Sequence, residues 1–178
     1  MTDVVDIKKE GKLQNAIMCD LDGTLSINDH GRKFWGEETA LCDKDSLSLP
    51  VSNVLKTYIS CNSSIMQKFC DDVSSLDQYN GFLLTIKIIY MSGRENKYRP
   101  STVKFLKKHN LNSKIWPELH MRKTGDYRPD TIIKKELYNA HVKDKYNVIF
   151  VLDDREGVVN MWRNELGLAC FQVANGNF

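Results

Sequence analysis

In "IMCDLDGTLS", residues 17–26, Asp20 and Asp22 stand one residue apart directly after an apolar run. Asp153 and Asp154 close a second run in "VIFVLDDR", and a third, "IIYMSGR", ends on Ser92, Gly93 and Arg94. Carboxylates gathered at one rim repel strongly unless a cation neutralises them. A hard ion with oxygen ligands, Mg²⁺ above all, meets that need, with Asp20, Asp22, Asp153 and Asp154 as candidate holders. A metal alone leaves Ser92, Arg94 and the basic groups that follow without a task. In "GDYRPDTIIKKE", Asp130 and Lys134 fall four residues apart at the start of an expected helix. They therefore share one face, one turn apart, which suits an Asp that orients a Lys toward an anion. Metal, lysine, hydroxyl and backbone amides around one carboxylate are what phosphoryl transfer needs, because positioning and charge neutralisation supply most of its catalysis. Asp20 reads as the nucleophile. Asp22 reads as general acid and base, with a pKa raised enough to hold a proton at the first step.

These residues reach one place only if the chain lays its apolar runs side by side. "NAIMCD", "FLLTIKIIYMS" and "NVIFVLDD" are nearly continuous aliphatic segments, as expected of central parallel strands covered on both faces, and "ACFQVA" reads as a shorter strand. Helical patterns fall between them at about residues 51–60, 65–73, 101–109, 130–141 and 156–165. Strand and helix in alternation indicate an open α/β sheet, in which ligands collect at the carboxyl ends of the strands. Residues 26–50 are the least regular and read as a small cap inserted after the first strand, extending to residue 80 at most.

The chain of 178 residues, 42% apolar, is long enough for one domain with a substantial core. Its 25 basic and 23 acidic residues leave a net charge of +2, so bulk charge does not point to nucleic acid and local clusters must decide. Five widely spaced cysteines with no C-x-x-C pair fit neither a zinc site nor a disulfide framework and suggest a reducing cytoplasm. The polar N-terminus does not read as a signal peptide, and no apolar run is long enough for a membrane span.

"DLDGTL", "MSGR", a downstream lysine and "LDDR" resemble the four motifs of the haloacid dehalogenase superfamily, whose phosphatases work through an aspartyl-phosphate. From Asn15 onward the chain is similar to the 3'-phosphatase domains of bacteriophage polynucleotide kinase-phosphatases, notably in "CDKD", "GDYRPD" and "LDDREGVVNMWRNELGLACFQVANGNF". The resemblance implies a single α/β domain over residues 1–178, an open, mostly parallel Rossmann-like sheet with a small cap. It implies that Asp20 attacks phosphorus, Asp22 transfers protons, and Ser92 and Lys134 hold phosphate oxygens. Asp153 and Asp154 would complete the Mg²⁺ site with Asp20. Arg32, Gly93, Arg94 and Arg128 would bind the phosphate or its carrier, and Asp130 would support Lys134. The implied substrate is a nucleic-acid 3' end, DNA or RNA, in a cytoplasmic setting (the host's, for a phage protein), with a homo-oligomer left open. No "GxxxxGK[ST]" phosphate loop occurs, so 5'-kinase activity is not expected.

Each feature also has a plainer reading. Asp-x-Asp can cap a turn, although Gly-Thr behind it and two companion motifs weigh against that, and Asp153–Asp154 can be a solvated turn pair. Lys134 and Lys135 are adjacent, and spacing alone favours the first. "RENKYR" and "KFLKKH" form either a basic groove for single-stranded nucleic acid or a solvated helix face. His120 and His141 read as structural, and Trp162 as core. Three functions follow: a polynucleotide 3'-phosphatase, a phosphatase of small substrates such as nucleoside monophosphates, and a catalytically silent binding module. Intact Asp, Ser and Lys motifs weigh against the third.

Overall fold

The computed structural model describes residues 13–70, 84–111 and 118–176. Five strands form one parallel sheet in the order β5-β4-β1-β6-β7: β1 Gln14–Cys19, β4 Lys87–Glu95, β5 Glu118–Arg122, β6 Tyr146–Asp153 and β7 Cys170–Gln172. The alternation of side chains along β1 divides the core. Ile17 and Cys19 face a layer with Val51, Leu55, Phe105 and Leu106, whereas Ala16 and Met18 face Tyr138, Val158, Val159 and Trp162 on the other side. Both faces are thus covered, which is why the central strands read as unbroken apolar runs.

The first layer contains α1 (Leu49–Cys70) and α2 (Arg99–Lys108), and the second contains α3 (Asp130–His141) and α4 (Glu156–Asn160), which continues as a π-helical turn over Met161–Glu165. The sequence suggests two helices over 51–60 and 65–73; instead α1 is continuous to Cys70, and 71–73 lie outside the described residues. "SCNSSI" is polar but holds neither Gly nor Pro, so nothing in it breaks a helix. Its Asn62 exchanges two hydrogen bonds with the backbone of Ile86, tying the helix to the entrance of β4. Because Val51 and Leu55 are core residues, α1 belongs to the sheet's covering layer rather than to the inserted segment. The second strand starts at Lys87, later than its apolar run suggests, and residues 82–83 of that run lie outside the described residues.

The segment after β1 is a two-stranded antiparallel hairpin, β2 (Ser26–Ile27) with β3 (Ser46–Leu47), whose long loop contains a 3₁₀ helix over Glu37–Lys44 packed on α2. β5 has no counterpart in the sequence reading. Only Leu119 and Met121 of "ELHMR" are apolar, and alternation over five residues is a weak signal.

Candidate active site

The register of the sheet places the first acidic pair against the last. Cys19 is level with Leu152, and the Asp20 N–H extends the ladder by donating to the Leu152 carbonyl at 2.9 Å. Asp20 therefore emerges beside Asp153, and oxygens of Asp20, Asp153 and Asp154 lie within 4.8 Å of one another, all three residues buried. Lys134, from the first turns of α3, sits between two of them, with Nζ 2.7 Å from Asp20 Oδ1 and 2.8 Å from Asp153 Oδ2. The Trp162 indole also donates to Asp153 Oδ2 at 3.2 Å, and the Thr24 hydroxyl donates to Asp154 Oδ1 at 2.9 Å. Trp162 is core, as its spacing suggests, but its N–H also fixes a site carboxylate. It does so from a π-helical turn, a distortion often found at functional sites.

Close packing holds Asp154 in place. Gly23 has a φ of 83°, and a Cβ there would fall 2.3 Å from Asp154 Oδ2, so the turn after Asp22 needs glycine on both counts. On the other side, Gln172 Nε2 donates to the Asp154 carbonyl and Val173 N–H to that of Asp153.

The electrostatics follow from burial. Desolvation pushes the Asp20 pKa well up; Lys134 opposes this, and Asp153 and Asp154 add to it. Burial likewise raises Asp154, partly offset by the Thr24 hydroxyl. Burial alone would pull Lys134 down, but Asp153 and Asp20 outweigh it and hold the ammonium charged.

Asp22 departs from the sequence reading. Its carboxylate turns away from the triad to Arg94, which donates from Nε and Nη2 at 2.7 Å each, and to Arg32 Nη2 at 2.6 Å. Burial would raise its pKa, yet the two guanidiniums win and lower it, the opposite of the expected shift. Its side chain is not among the three that cluster for a metal. Arg32 is itself buried and grips Asp45 through Nε at 2.8 Å; Asp45 also receives hydrogen bonds from Ser26 and, at 3.4 Å, from Arg94 Nη2. Asp45 lies within the quoted "CDKD", but nothing in its local sequence marks it as the partner of two arginines.

Lys134 and Asp130 share a helix face but not an ion pair. Asp130 is held instead by Arg122 Nη2 and, at 2.8 Å, by Arg155 Nη1, while Lys134 reaches past it to Asp20 and Asp153. Gly93 fits closely against this carboxylate, since a Cβ would come within 2.4 Å of Asp130 Oδ1. Ser92 is fully buried at the end of β4, where its Oγ accepts the Arg94 N–H at 3.1 Å. Arg128 is half-exposed and paired with Asp126 and Glu136.

A cleft of about 750 Å³ opens over these groups. Asp20, Asp22, Gly93, Arg94, Asp130, Lys134 and Asp154 line it; Arg32, Ser92, Arg128 and Asp153 do not. Glu95, Lys97 and Tyr98 of "RENKYR" line it too, together with Arg122 and Arg155, whereas Lys107 and Lys108 of "KFLKKH" lie on the exposed side of α2. His120 and His141 stack on each other at 4.5 Å and take no part in the cleft.

A parallel α/β sheet with a buried nucleophile-type aspartate after β1, a lysine on α3 and an acidic pair at the end of β6 defines a phosphatase of the haloacid dehalogenase type. The family model for the polynucleotide kinase PNKP phosphatase domain matches residues 65–178, and the chain belongs to that family. A solved chain from the "Pnkp1/Rnl/Hen1 RNA repair complex" is 41% identical with a TM-score of 0.74, covering 95% of this chain and 45% of its own. A protein described as a bifunctional polynucleotide kinase/RNA ligase, from Autographa californica nuclear polyhedrosis virus, is 29% identical over 153 residues, 86% of this chain and 18% of the viral one. The chain thus spans less than half of these relatives. The haloacid dehalogenase domain of effector protein Lem4 from Legionella pneumophila shares the fold, with a TM-score of 0.52 at 14% identity over 95% of this chain and 91% of that one. Among the described residues no helix is long and apolar enough to cross a membrane.

Proposed function

We propose that this phosphatase is a Mg²⁺-dependent polynucleotide 3'-phosphatase that converts 3'-phosphorylated ends of DNA or RNA to 3'-hydroxyls in end repair. One observation carries the reading: a buried aspartate lies at the floor of a cleft lined by Arg94, Lys97, Arg122 and Arg155, paired with Asp22, Glu95 and Asp130, from which incoming phosphates can draw them. A small phosphomonoester needs few cations, whereas a strand end brings further backbone phosphates.

The donor set fits a hard divalent ion. Three buried carboxylates with oxygens within 4.8 Å carry more negative charge than Lys134 alone can balance. Asp20, Asp153 and Asp154 would hold Mg²⁺, which when bound supplies positive charge against the phosphoryl oxygens. In the first step an Asp20 carboxylate oxygen attacks phosphorus, and the bond from phosphorus to the 3' oxygen breaks. As the phosphate draws Arg94 away, Asp22 keeps only Arg32 and can take up a proton, which it passes to that oxygen as it leaves as a hydroxyl, and Asp20 carries the phosphoryl group. In the second step Asp22 takes a proton from water, whose oxygen attacks phosphorus and releases inorganic phosphate from Asp20. Lys134 keeps Asp20 aimed and offers a fixed charge to the transferring group. Arg94 lines the cleft and can donate to phosphate oxygens from the guanidinium that now holds Asp22.

The test is kcat/KM on a 3'-phosphorylated oligonucleotide, its 5'-phosphorylated isomer and a free nucleoside monophosphate across a salt series. The expected result is a preference for the 3' end that shrinks as salt rises, with the 5' isomer poor. Equal efficiency on oligonucleotide and mononucleotide, with a ratio indifferent to salt, would overturn the reading in favour of a small-substrate phosphatase.

A further inference from the structure

The rim of the cleft carries groups that phosphoryl chemistry does not use. Trp35 is 74% exposed and Tyr127 83% exposed, yet both line the same cleft as Asp20 and Lys134. They come from different elements, Trp35 from the loop before the 3₁₀ helix and Tyr127 from the loop between β5 and α3. Large rings are ordinarily buried for their apolar area, as Trp162 is at 1% exposure. Among the described residues neither Trp35 nor Tyr127 makes a ring contact or a side-chain hydrogen bond, whereas the adjacent Phe34 lies under the Arg32 guanidinium at 5.3 Å.

The backbone that carries Tyr127 is fixed even though the ring is not covered. Arg122 Nη1 donates to the carbonyls of Asp126 at 2.9 Å and Arg128 at 2.7 Å, the residues on either side of Tyr127. Arg122 Nε is bound in turn to the Gly93 carbonyl at 2.6 Å, so the loop is anchored to the end of β4 beside the catalytic floor. Trp35 precedes Gly36, whose φ of 72° turns the chain into the 3₁₀ helix, and the loop behind it is closed by reciprocal bonds between Asn28 and Arg32. Two solvent-exposed rings that line one cleft with Asp20, Lys97 and Arg155, Tyr127 on an anchored loop, offer a flat apolar platform to a ligand. The chemistry that matches such a platform is an unpaired nucleobase, flat and apolar on its faces and joined to phosphate.

We propose that Trp35 and Tyr127 form a base-stacking subsite for the terminal nucleoside of a 3'-phosphorylated strand. The inference rests on the polynucleotide reading above.

The test compares wild type, Trp35→Ala, Tyr127→Ala and Trp35→Phe on three phosphomonoesters: a 3'-phosphorylated single strand, the same strand whose phosphorylated terminal residue lacks its base, and glycerol 2-phosphate. Base stacking of the usual strength predicts that either alanine change lowers the ratio of kcat/KM for the strand to that for glycerol 2-phosphate by about tenfold, mainly through KM. Wild type should lose a similar factor when the terminal base is absent, the alanine variants should lose little more, and Trp35→Phe should keep most of the preference. Wild type that treats base-bearing and abasic ends alike overturns the subsite. Alanine variants that fall equally on all three esters also overturn it, and mark the rings as scaffold or as the seat of another part of a longer protein. The 5'-phosphorylated isomer is assayed first with wild type, because absence of a 3' preference there defeats the polynucleotide reading itself rather than the subsite.

Discussion

Lys134→Met removes a cation that is in contact with two carboxylates at once. The lysine side chain is 3% exposed and its partners Asp20 and Asp153 are 7% and 1% exposed, so solvent cannot replace it. Breaking a buried pair from one side costs about 3–5 kcal/mol. The low end applies, because Asp20, its pKa already raised by burial, can take up a proton and relieve part of the repulsion. For a domain of this size each kcal/mol moves Tm by about 2–4 °C, so a loss of about 6–12 °C is expected in chelator. Added Mg²⁺ should restore more Tm to the variant than to wild type, since a divalent ion and the lost ammonium serve the same carboxylates. The loss of a fixed charge facing the transferring phosphoryl group should lower kcat by about 10² to 10³. Lys135→Met is the control. That lysine is 42% exposed and paired with the 54% exposed Glu165, and such pairs are worth about 0–1 kcal/mol. Thermal denaturation with and without Mg²⁺, and initial rates on glycerol 2-phosphate, test the pair of variants. A Lys135→Met enzyme more damaged than Lys134→Met, or Lys134→Met with near wild-type kcat, would refute the assignment.

Three further outcomes follow from the same geometry. Asp20→Asn should abolish turnover, a fall of about 10³ or more, while far-UV circular dichroism stays native, because the amide is isosteric but cannot attack phosphorus. Gly93→Ala sets a Cβ against an Asp130 carboxylate held by Arg122 and Arg155; overpacking of this kind costs about 1–3 kcal/mol, measurable as a shift in the urea midpoint. Glu118 is half-buried; burial would raise its pKa, but hydrogen bonds from His120 and Tyr146, with Lys87 nearby, lower it to about 2. A depressed carboxylate pKa contributes stability that is present above the unfolded value near 4.5 and lost as pH falls through about 2. Glu118→Gln should therefore destabilise by about 1–3 kcal/mol at neutral pH, with the gap to wild type closing between pH 4.5 and 2 in acid titrations of unfolding.

The parts of the site legible in the sequence are those whose position follows from strand direction alone. Asp20, Asp153 and Asp154 each end an aliphatic run, and a parallel sheet leaves them only one rim to share. The strand β5 was hidden because Glu118, His120 and Arg122 occupy every other position and leave two apolar residues to signal it. Side-chain pairings were hidden for a different reason. Asp130 and Lys134 satisfy helical spacing, but the choice between each other and more distant partners depends on what lies across the cleft, and Arg122, Arg155, Asp20 and Asp153 come from three other strands and loops. The same holds for Asp22, whose two arginines reverse the pKa shift that its proposed role suggests. Exposure of Trp35 and Tyr127 leaves no mark in composition at all.

The lattice of Arg32, Asp45, Ser26, Arg94 and Asp22 bears on how substrate gets in. Three of its members, Ser26, Arg32 and Asp45, belong to the hairpin segment, while Arg94 belongs to the central sheet. If that hairpin swung away as a lid, Asp45 and Arg32 would part from Arg94 and Asp22, stranding buried charges at a cost of about 3–5 kcal/mol for the first broken pair. Swinging of this hairpin is thereby disfavoured, and the cleft is lined as described with the hairpin in place. On the polynucleotide reading proposed above, a cleft reached without moving the hairpin would let the last residue of a long strand enter while the remainder trails outside.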